Sequence, residues 1–358
     1  MSSSKSFLIN LFSLFFTFSG IFSAFLSTNQ AIIHTQNSPF LPISPFYFKF
    51  GAAIKPKPEK ESTGGEDALL ASKYIMGVSD GVGAWANQGI DPSDYSYRLM
   101  HNSDTYFHAY PNSYSKDPRK LLILSALTNS YKGSSTMVLC TLNNEDMYTA
   151  NVGDSGYIIL VPILKNLPND EGTSFIYDIV YKSEPQQHGY NFPFQLGPTG
   201  DNPVKVTQAR IHKMGYGAIV LTYSDGISDN LFKHEIKTIV NIYVQELKMK
   251  AGIQIRDFVP IFDPTELANR LKDRAFKKSI DTNAITPFQV DALNWGFIYP
   301  GGKSDDISIV VGMIMVNQDY IDQSKNNLEK NEEVKKTEND KKDVDVNTQK
   351  STIIDNVN

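Results

Sequence analysis

Residues 74–81 read Tyr74-Ile75-Met76-Gly77-Val78-Ser79-Asp80-Gly81, a short apolar run that ends in an aspartate and turns on a glycine. Thr149-Ala150-Asn151-Val152-Gly153-Asp154-Ser155-Gly156 repeats the pattern, as does Ile219-Val220-Leu221-Thr222-Tyr223-Ser224-Asp225-Gly226, with Asp229 four residues on. Gly301-Gly302-Lys303-Ser304-Asp305-Asp306 sets its acids before an apolar run, and Gly64-Gly65-Glu66-Asp67 adds an acidic pair. An aspartate leaving a strand into a glycine turn is ordinary turn chemistry when it occurs once. Recurring through one domain, it brings carboxylates at strand ends into one cleft, where their repulsion demands a counter-charge.

The donors in these segments are all oxygens. With no cysteine set and no evident histidine cluster, they suit a hard ion, Mg²⁺ or Mn²⁺, rather than Zn²⁺. Two such ions lower the pKa of a bridging water and clamp the oxygens of a phosphoryl group. Glycine after each aspartate lets a backbone carbonyl approach an ion. Aspartates serving as calcium sites of a secreted structural protein are a poorer reading, since the EF-hand spacing is absent.

Outward from these turns, runs rich in Val, Ile, Tyr and Thr predict strands at 73–78, 135–142, 147–152, 157–164, 175–181, 209–214, 218–223 and 307–314. Asn143-Asn144-Glu145-Asp146 reads as a hairpin connection. Helices announce their starts: Asp91-Pro92, Asp117-Pro118 and Asp263-Pro264 each pair an N-cap with a proline at the first position. Glu266 stands where it can bond back to its cap. A further helix covers roughly 234–250. Strand runs interrupted by paired helices, without regular β-α-β alternation, predict an α+β domain with helices packed outside two sheets. Gly81-Val82-Gly83-Ala84-Trp85-Ala86 formally fits a dinucleotide-binding turn. Asp80 would set a negative charge against a pyrophosphate there, Trp85 is bulky where close approach is needed, and the alternation is missing.

The chain has 358 residues, is 41% hydrophobic and carries a net charge of −5, enough for a sizeable core and no electrostatic footprint for nucleic acid. Its one cysteine, Cys140, excludes an internal disulfide and reads as a buried core residue. Residues 7–26 are uncharged and apolar, a signal peptide or signal anchor. They imply the secretory pathway or membrane attachment through this segment alone, with a mitochondrial location as the alternative. Residues 1–38 are set aside from the fold and 39–317 taken as the catalytic domain. The mixed-charge tail 318–358 is expected to be disordered. A monomer is expected.

Taken together, Thr63–Ala68 (TGGEDA), Gly77–Trp85 (GVSDGVGAW), Asp91–Met100 (DPSDYSYRLM), Gly133–Thr136 (GSST), Thr149–Gly156 (TANVGDSG), Gln186–His188 with Pro193–Gly197, Ser224–Asn230 (SDGISDN) and Gly301–Ser308 (GGKSDDIS) resemble the metal-dependent protein phosphatase, or protein phosphatase 2C, family. They come in the family's order, and the likeness is closest to its short single-domain subgroup that includes mitochondrial members. The resemblance implies a four-layer α-β-β-α sandwich with a metal cleft at one end. It implies hydrolysis of phosphoserine and phosphothreonine in phosphoprotein substrates by a water activated between two Mg²⁺ or Mn²⁺ ions. By the same resemblance Asp80 bridges both ions, Glu66 and the Gly81 carbonyl help hold one, Asp225 and Asp305 ligate the other, and Asp67 binds metal-coordinated water. Asp154 and Asp229 match a third, weaker metal position. Two departures stand out. Val82 occupies a position where many members have histidine, and Ser62 one where many have a phosphate-binding arginine. The resemblance also allows a catalytically inactive member acting as a phosphoprotein-binding module.

Overall fold

Alternation along the strands decides the layers, because successive side chains of a strand point to opposite faces. The structure, a computed structural model, describes residues 30–34, 44–166, 173–250 and 261–326. The strands are β1 Ala31–Ile33, β2 Phe46–Lys55, β3 Asp67–Ala71, β4 Ile75–Asp80, β5 Met137–Asn143, β6 Asp146–Val152, β7 Gly156–Asn166, β8 Thr173–Lys182, β9 Gln187–Gly189, β10 Phe192–Pro193, β11 Gln208–Lys213, β12 Ile219–Tyr223 and β13 Ile307–Val316. One sheet runs in the order β1-β3-β4-β5-β6-β11, the other β2-β13-β12-β7-β8, and β9 and β10 form a small ribbon. Every pairing is antiparallel except β1 with β3.

Val138, Cys140 and Leu142 of β5 pack with Val220 of β12 and Val310 of β13 between the sheets. The alternate residues Met137 and Leu139 face Leu99, Phe107 and Leu122, while Leu221 and Ile309 face Val240, Leu267 and Leu271. Those outer partners belong to four helices: α1 Pro92–Ala109, α2 Pro118–Leu127, α3 Lys233–Lys250 and α4 Pro264–Ser279. The result is the expected four-layer α-β-β-α sandwich. The predicted caps form: Asp91, Asp117 and Asp263 accept from Ser93, Lys120 and Thr265 N–H at 2.9 Å each. Glu266 does not bond back to its cap but pairs with Arg270 Nε at 2.8 Å. Asn144 takes φ 55° in the tight turn joining β5 and β6. Cys140 is fully buried, and burial pushes its thiol far up.

Two readings need correction. Residues 31–33, set aside with 1–38, form β1 along the edge of the first sheet; Gln30 is buried and its side-chain amide donates to the Gly65 carbonyl. Residues 318–326, taken as the start of a disordered tail, are helical. The segment after β4 is a six-residue 3₁₀ turn at Gly83–Gln88 leading into α1, and β4 is antiparallel to both its neighbours, in keeping with the case made from the sequence against a dinucleotide-binding turn. The apolar run 7–26 and residues 327–358 lie outside the described residues. Among the described residues no helix is long and apolar enough to cross a membrane.

Gly226 shows how closely the strand ends are fitted. A Cβ there would stand 2.1 Å from the Asp306 carbonyl oxygen and 3.0 Å from Ile307 Cγ1. Gly226→Ala is expected to cost about 1–3 kcal/mol, read from the urea midpoint, because backbone must move to admit the methyl.

Candidate metal centre

Asp80 closes β4 and lies opposite Asp67, the first residue of β3. In the other sheet Tyr223 of β12 pairs with Ile309 of β13. Asp225, two residues past Tyr223, and Asp305, two residues before β13, therefore leave neighbouring strands at the same end of the sandwich. Asp154 sits in the turn from β6 to β7. These placements converge: Glu66, Asp80, Gly81, Asp154, Asp225 and Asp305 line one open cavity of about 190 Å³, together with Lys57, Val82 and Lys303.

Two predicted residues stand just outside that lining. Asp229 follows the short helix Asp225–Ser228 and borders an adjoining pocket that shares Asp154. Asp67 lies beneath the cavity, 1% exposed, and neither carboxylate oxygen has an aligned hydrogen-bond partner among the described residues, although the Ser224 and Ser308 hydroxyls stand close enough to favour its charged form. Asp154 Oδ1 and Asp225 Oδ1 are likewise shielded and without a partner among the described residues. Buried, unsatisfied carboxylate oxygens are costly. An all-oxygen set with free lone pairs fits a hard divalent cation.

Backbone contacts explain the positions. Asp306 accepts from Lys57 N–H at 2.8 Å and from Glu66 N–H at 2.7 Å, binding the end of β2 and the approach to β3 to the start of β13. The Asp80 carbonyl accepts from Ser135 Oγ at 2.6 Å and from Thr136 N–H at 2.9 Å. Asn230, fully buried, donates to the Gly226 and Lys303 carbonyls and accepts from Lys303 N–H, each at 3.0 Å. Gly81 has a steric reason as well as the one read from the sequence: a Cβ there would meet the Glu66 carbonyl at 2.7 Å and the Pro92 carbonyl at 2.8 Å.

Lys303 is the residue that sequence reasoning missed. Its ammonium lies 2.5 Å from Asp225, 2.7 Å from Asp229 and 3.1 Å from Asp305. Burial pulls its pKa down, but the surrounding carboxylates outweigh this and hold it well above the ordinary lysine value. Lys57 reaches Asp305 at 3.4 Å, and Lys60 pairs with Glu66. Burial raises Asp305, yet Lys303 and Lys57 hold it below its usual range. Elsewhere crowding wins. Burial first, then neighbouring acids, pushes Asp67, Asp80 and Asp229 well up and Asp154 up to about 7. Gln187 donates to Asp154 at 3.2 Å, whereas His188 pairs with Asp201 at 3.0 Å, outside the cavity lining. Ser62 is exposed.

A two-sheet sandwich with an acidic cleft where strands of both sheets end defines a class of protein, and comparison places the chain within it. No protein-family model matches the chain. A probable protein phosphatase 2C 55 of Arabidopsis thaliana is 35% identical over 273 residues, 75% of this chain and 52% of that protein. A probable protein phosphatase 2C 26 of the same plant is 29% identical over 276 residues, 73% of this chain and 81% of that protein. The X-ray structure of the photosystem II phosphatase PBCP shares the fold, with a TM-score of 0.60 at 24% identity, covering 74% of this chain and 98% of that one. The chain spans about half the length of the first curated relatives it matches. This chain belongs to the protein phosphatase 2C family.

Two outcomes follow from the electrostatics. A carboxyl whose folded pKa is raised favours folding below its unfolded value, and that advantage is lost as pH rises through the folded one. In EDTA the chain is therefore expected to lose stability between pH 3.8 and about 7, the window set by Asp154; urea midpoints across that range check it, and excess Mn²⁺ should abolish the loss. Lys303→Met removes the only side-chain cation that touches Asp225 and Asp229 among the described residues. Leaving buried charge unpaired costs about 3–5 kcal/mol. Calorimetry in EDTA should show this cost, and Mn²⁺ should recover much of it.

Proposed function

We propose that this chain is a protein serine/threonine phosphatase that hydrolyses phosphoserine and phosphothreonine in phosphoprotein substrates. The observation that carries the reading is the convergence of Glu66 and Asp80 from one sheet with Asp225 and Asp305 from the other on a single cavity. Membership of the phosphatase 2C family supports it.

Asp80, Glu66 and the Gly81 carbonyl would hold one Mg²⁺ or Mn²⁺ ion, Asp225 and Asp305 the second, and Asp67 a water on the ions. When bound, the ions would activate water and neutralise phosphoryl oxygens. The chain's own residues do the rest. The Asp306 and Asn230 networks hold the carboxylate-bearing loops in register, so little reorganisation is needed when charge develops. Lys57 and Lys303 are the cations lining the cavity, which carries no arginine and has Val82 after the Asp80-Gly81 turn. They supply positive charge toward the phosphate where Ser62 cannot. Asp154 and Asp229 would form the weaker third position, which Lys303 Nζ already touches through Asp229 at 2.7 Å.

Lys303 also favours a second reading, an inactive member that binds phosphoproteins, since its ammonium already neutralises three carboxylates. Hydrolysis of p-nitrophenyl phosphate decides. The phosphatase reading expects Mn²⁺-dependent turnover abolished by EDTA, and its loss in Asp80→Asn and Asp225→Asn with unchanged circular dichroism. Turnover that survives EDTA, or none in excess Mn²⁺, contradicts it.

The apolar run 7–26 is proposed as a targeting or anchoring segment. β1 starts five residues beyond it, so processing that preserves the sheet edge cuts before Gln30. Sequencing the N-terminus of native protein should find residue 30 or an earlier one.

A further inference from the structure

A second group of titratable side chains gathers far from the cleft, where β1 meets α1. His34, directly after β1, places Nε2 2.9 Å from Asp104 Oδ1. His108, one turn further along α1, places Nδ1 3.0 Å from the same oxygen and 2.9 Å from the Asp104 carbonyl. The two imidazole rings stand 4.8 Å apart, tilted by 48°. One donor atom from each of the three residues lies within 4.8 Å of the other two. His34 Nε2 and Asp104 Oδ1 are shielded from solvent, and neither has an aligned hydrogen-bond partner among the described residues despite their approach.

We propose that His34, Asp104 and His108 form a binding site for a borderline transition-metal ion, with zinc the best match. Two imidazole nitrogens and one carboxylate oxygen are a zinc donor set with a position left open, quite unlike the all-oxygen cleft. Zinc at about 2.0–2.1 Å from its ligands sets tetrahedral neighbours about 3.3 Å apart. Asp104 Oδ1 would have to draw away from each nitrogen by a few tenths of an ångström, and the two nitrogens, which lie within 4.8 Å of each other, would have to close to the same spacing by turning the imidazole rings. The His34 side chain is 41% exposed, so a modest turn of its ring opens the shielded donor atoms to an ion from solvent.

The ion's work would be structural. β1 is a three-residue strand at a sheet edge, too short to hold itself by backbone bonds alone. A shared ion would fasten it to α1 across a long stretch of intervening chain, confining the unfolded state as a cross-link does. Asp104 lies twelve residues along α1 from Pro92, about 18 Å at helical rise, while Pro92 abuts Gly81 in the cleft. The two centres are therefore independent. Without an ion the two imidazoles clamp the Asp104 carboxylate between them. There burial raises Asp104, but His108 and His34 outweigh it and hold the carboxyl at about 2.

The test uses the full-length chain in detergent, with Mg²⁺ in excess to fill the acidic cleft, titrated with Co²⁺ as a coloured stand-in for zinc. One equivalent should develop the intense visible band of nitrogen-ligated, low-coordinate Co²⁺, and Zn²⁺ should bleach it. His34→Gln and His108→Gln should each lose the band while keeping Mn²⁺-dependent hydrolysis. Zn²⁺ should raise the wild-type melting temperature and leave both variants unmoved. Absence of the band in the wild-type protein overturns the proposal however the variants fold, and so does a band that persists in folded His34→Gln. A wild type indifferent to Zn²⁺ whose melting temperature falls on either substitution identifies the imidazole clamp and overturns it too.

Discussion

Mutual repulsion among carboxylates is the constraint around which this molecule is arranged. Asp80, Asp154, Asp225 and Asp305 line one cavity, with Asp67 buried beneath it and Asp229 beside it. Such a cluster is unfavourable unless cations answer it. Part of the answer is internal. Lys303 touches three of the acids, Lys57 a fourth contact, and Asp306 spends its two oxygens on the backbone N–H groups of Lys57 and Glu66. The remaining free lone pairs define what the cleft can receive.

The sandwich supplies this crowding with rigid supports. Strand ends from two sheets meet because the interior strands β4 and β12 terminate at the same end, and both are packed on either face by apolar side chains. Neither sheet alone would assemble the set: Glu66, Asp67 and Asp80 attach to one, Asp225 and Asp305 to the other. Glycine at 81 and 226 lets neighbouring backbones approach closely enough for that meeting, and the Asn230 hydrogen bonds fix the loop from Gly301 to Asp306 against the turn after β12. Pre-positioned charge of this kind acts on a substrate without first having to rearrange.

Much of this was legible in the sequence, for physical reasons that differ by element. Asp-Pro helix starts are local signals, and α1, α2 and α4 begin where they stand. Alternating or β-branched runs located β4 to β8 and β11 to β13. β3 escaped because Ala68-Leu69-Leu70-Ala71 is buried on both faces, so it has no alternation to reveal a strand. β1 escaped because it is three residues long and follows an apolar segment with a different reading. The acids of the cleft were found by a repeated local pattern. Lys303 was quoted within its motif but not singled out, since its partners Asp225 and Asp229 lie 78 and 74 residues away and only folding joins them. His34 and His108 escaped for the same reason.

The parallel edge strand has a consequence for solubility. β3 is a five-residue strand of buried side chains, and β1 covers the flank that would otherwise offer unpaired amide and carbonyl groups to any passing extended peptide. Uncapped apolar edges recruit further strands, from other copies of the same chain above all. The three residues Ala31–Ile33 thus leave a very short strand, rather than the apolar β3, at the edge of the sheet. Detaching them would threaten the protein with aggregation before it cost much of the folded interior.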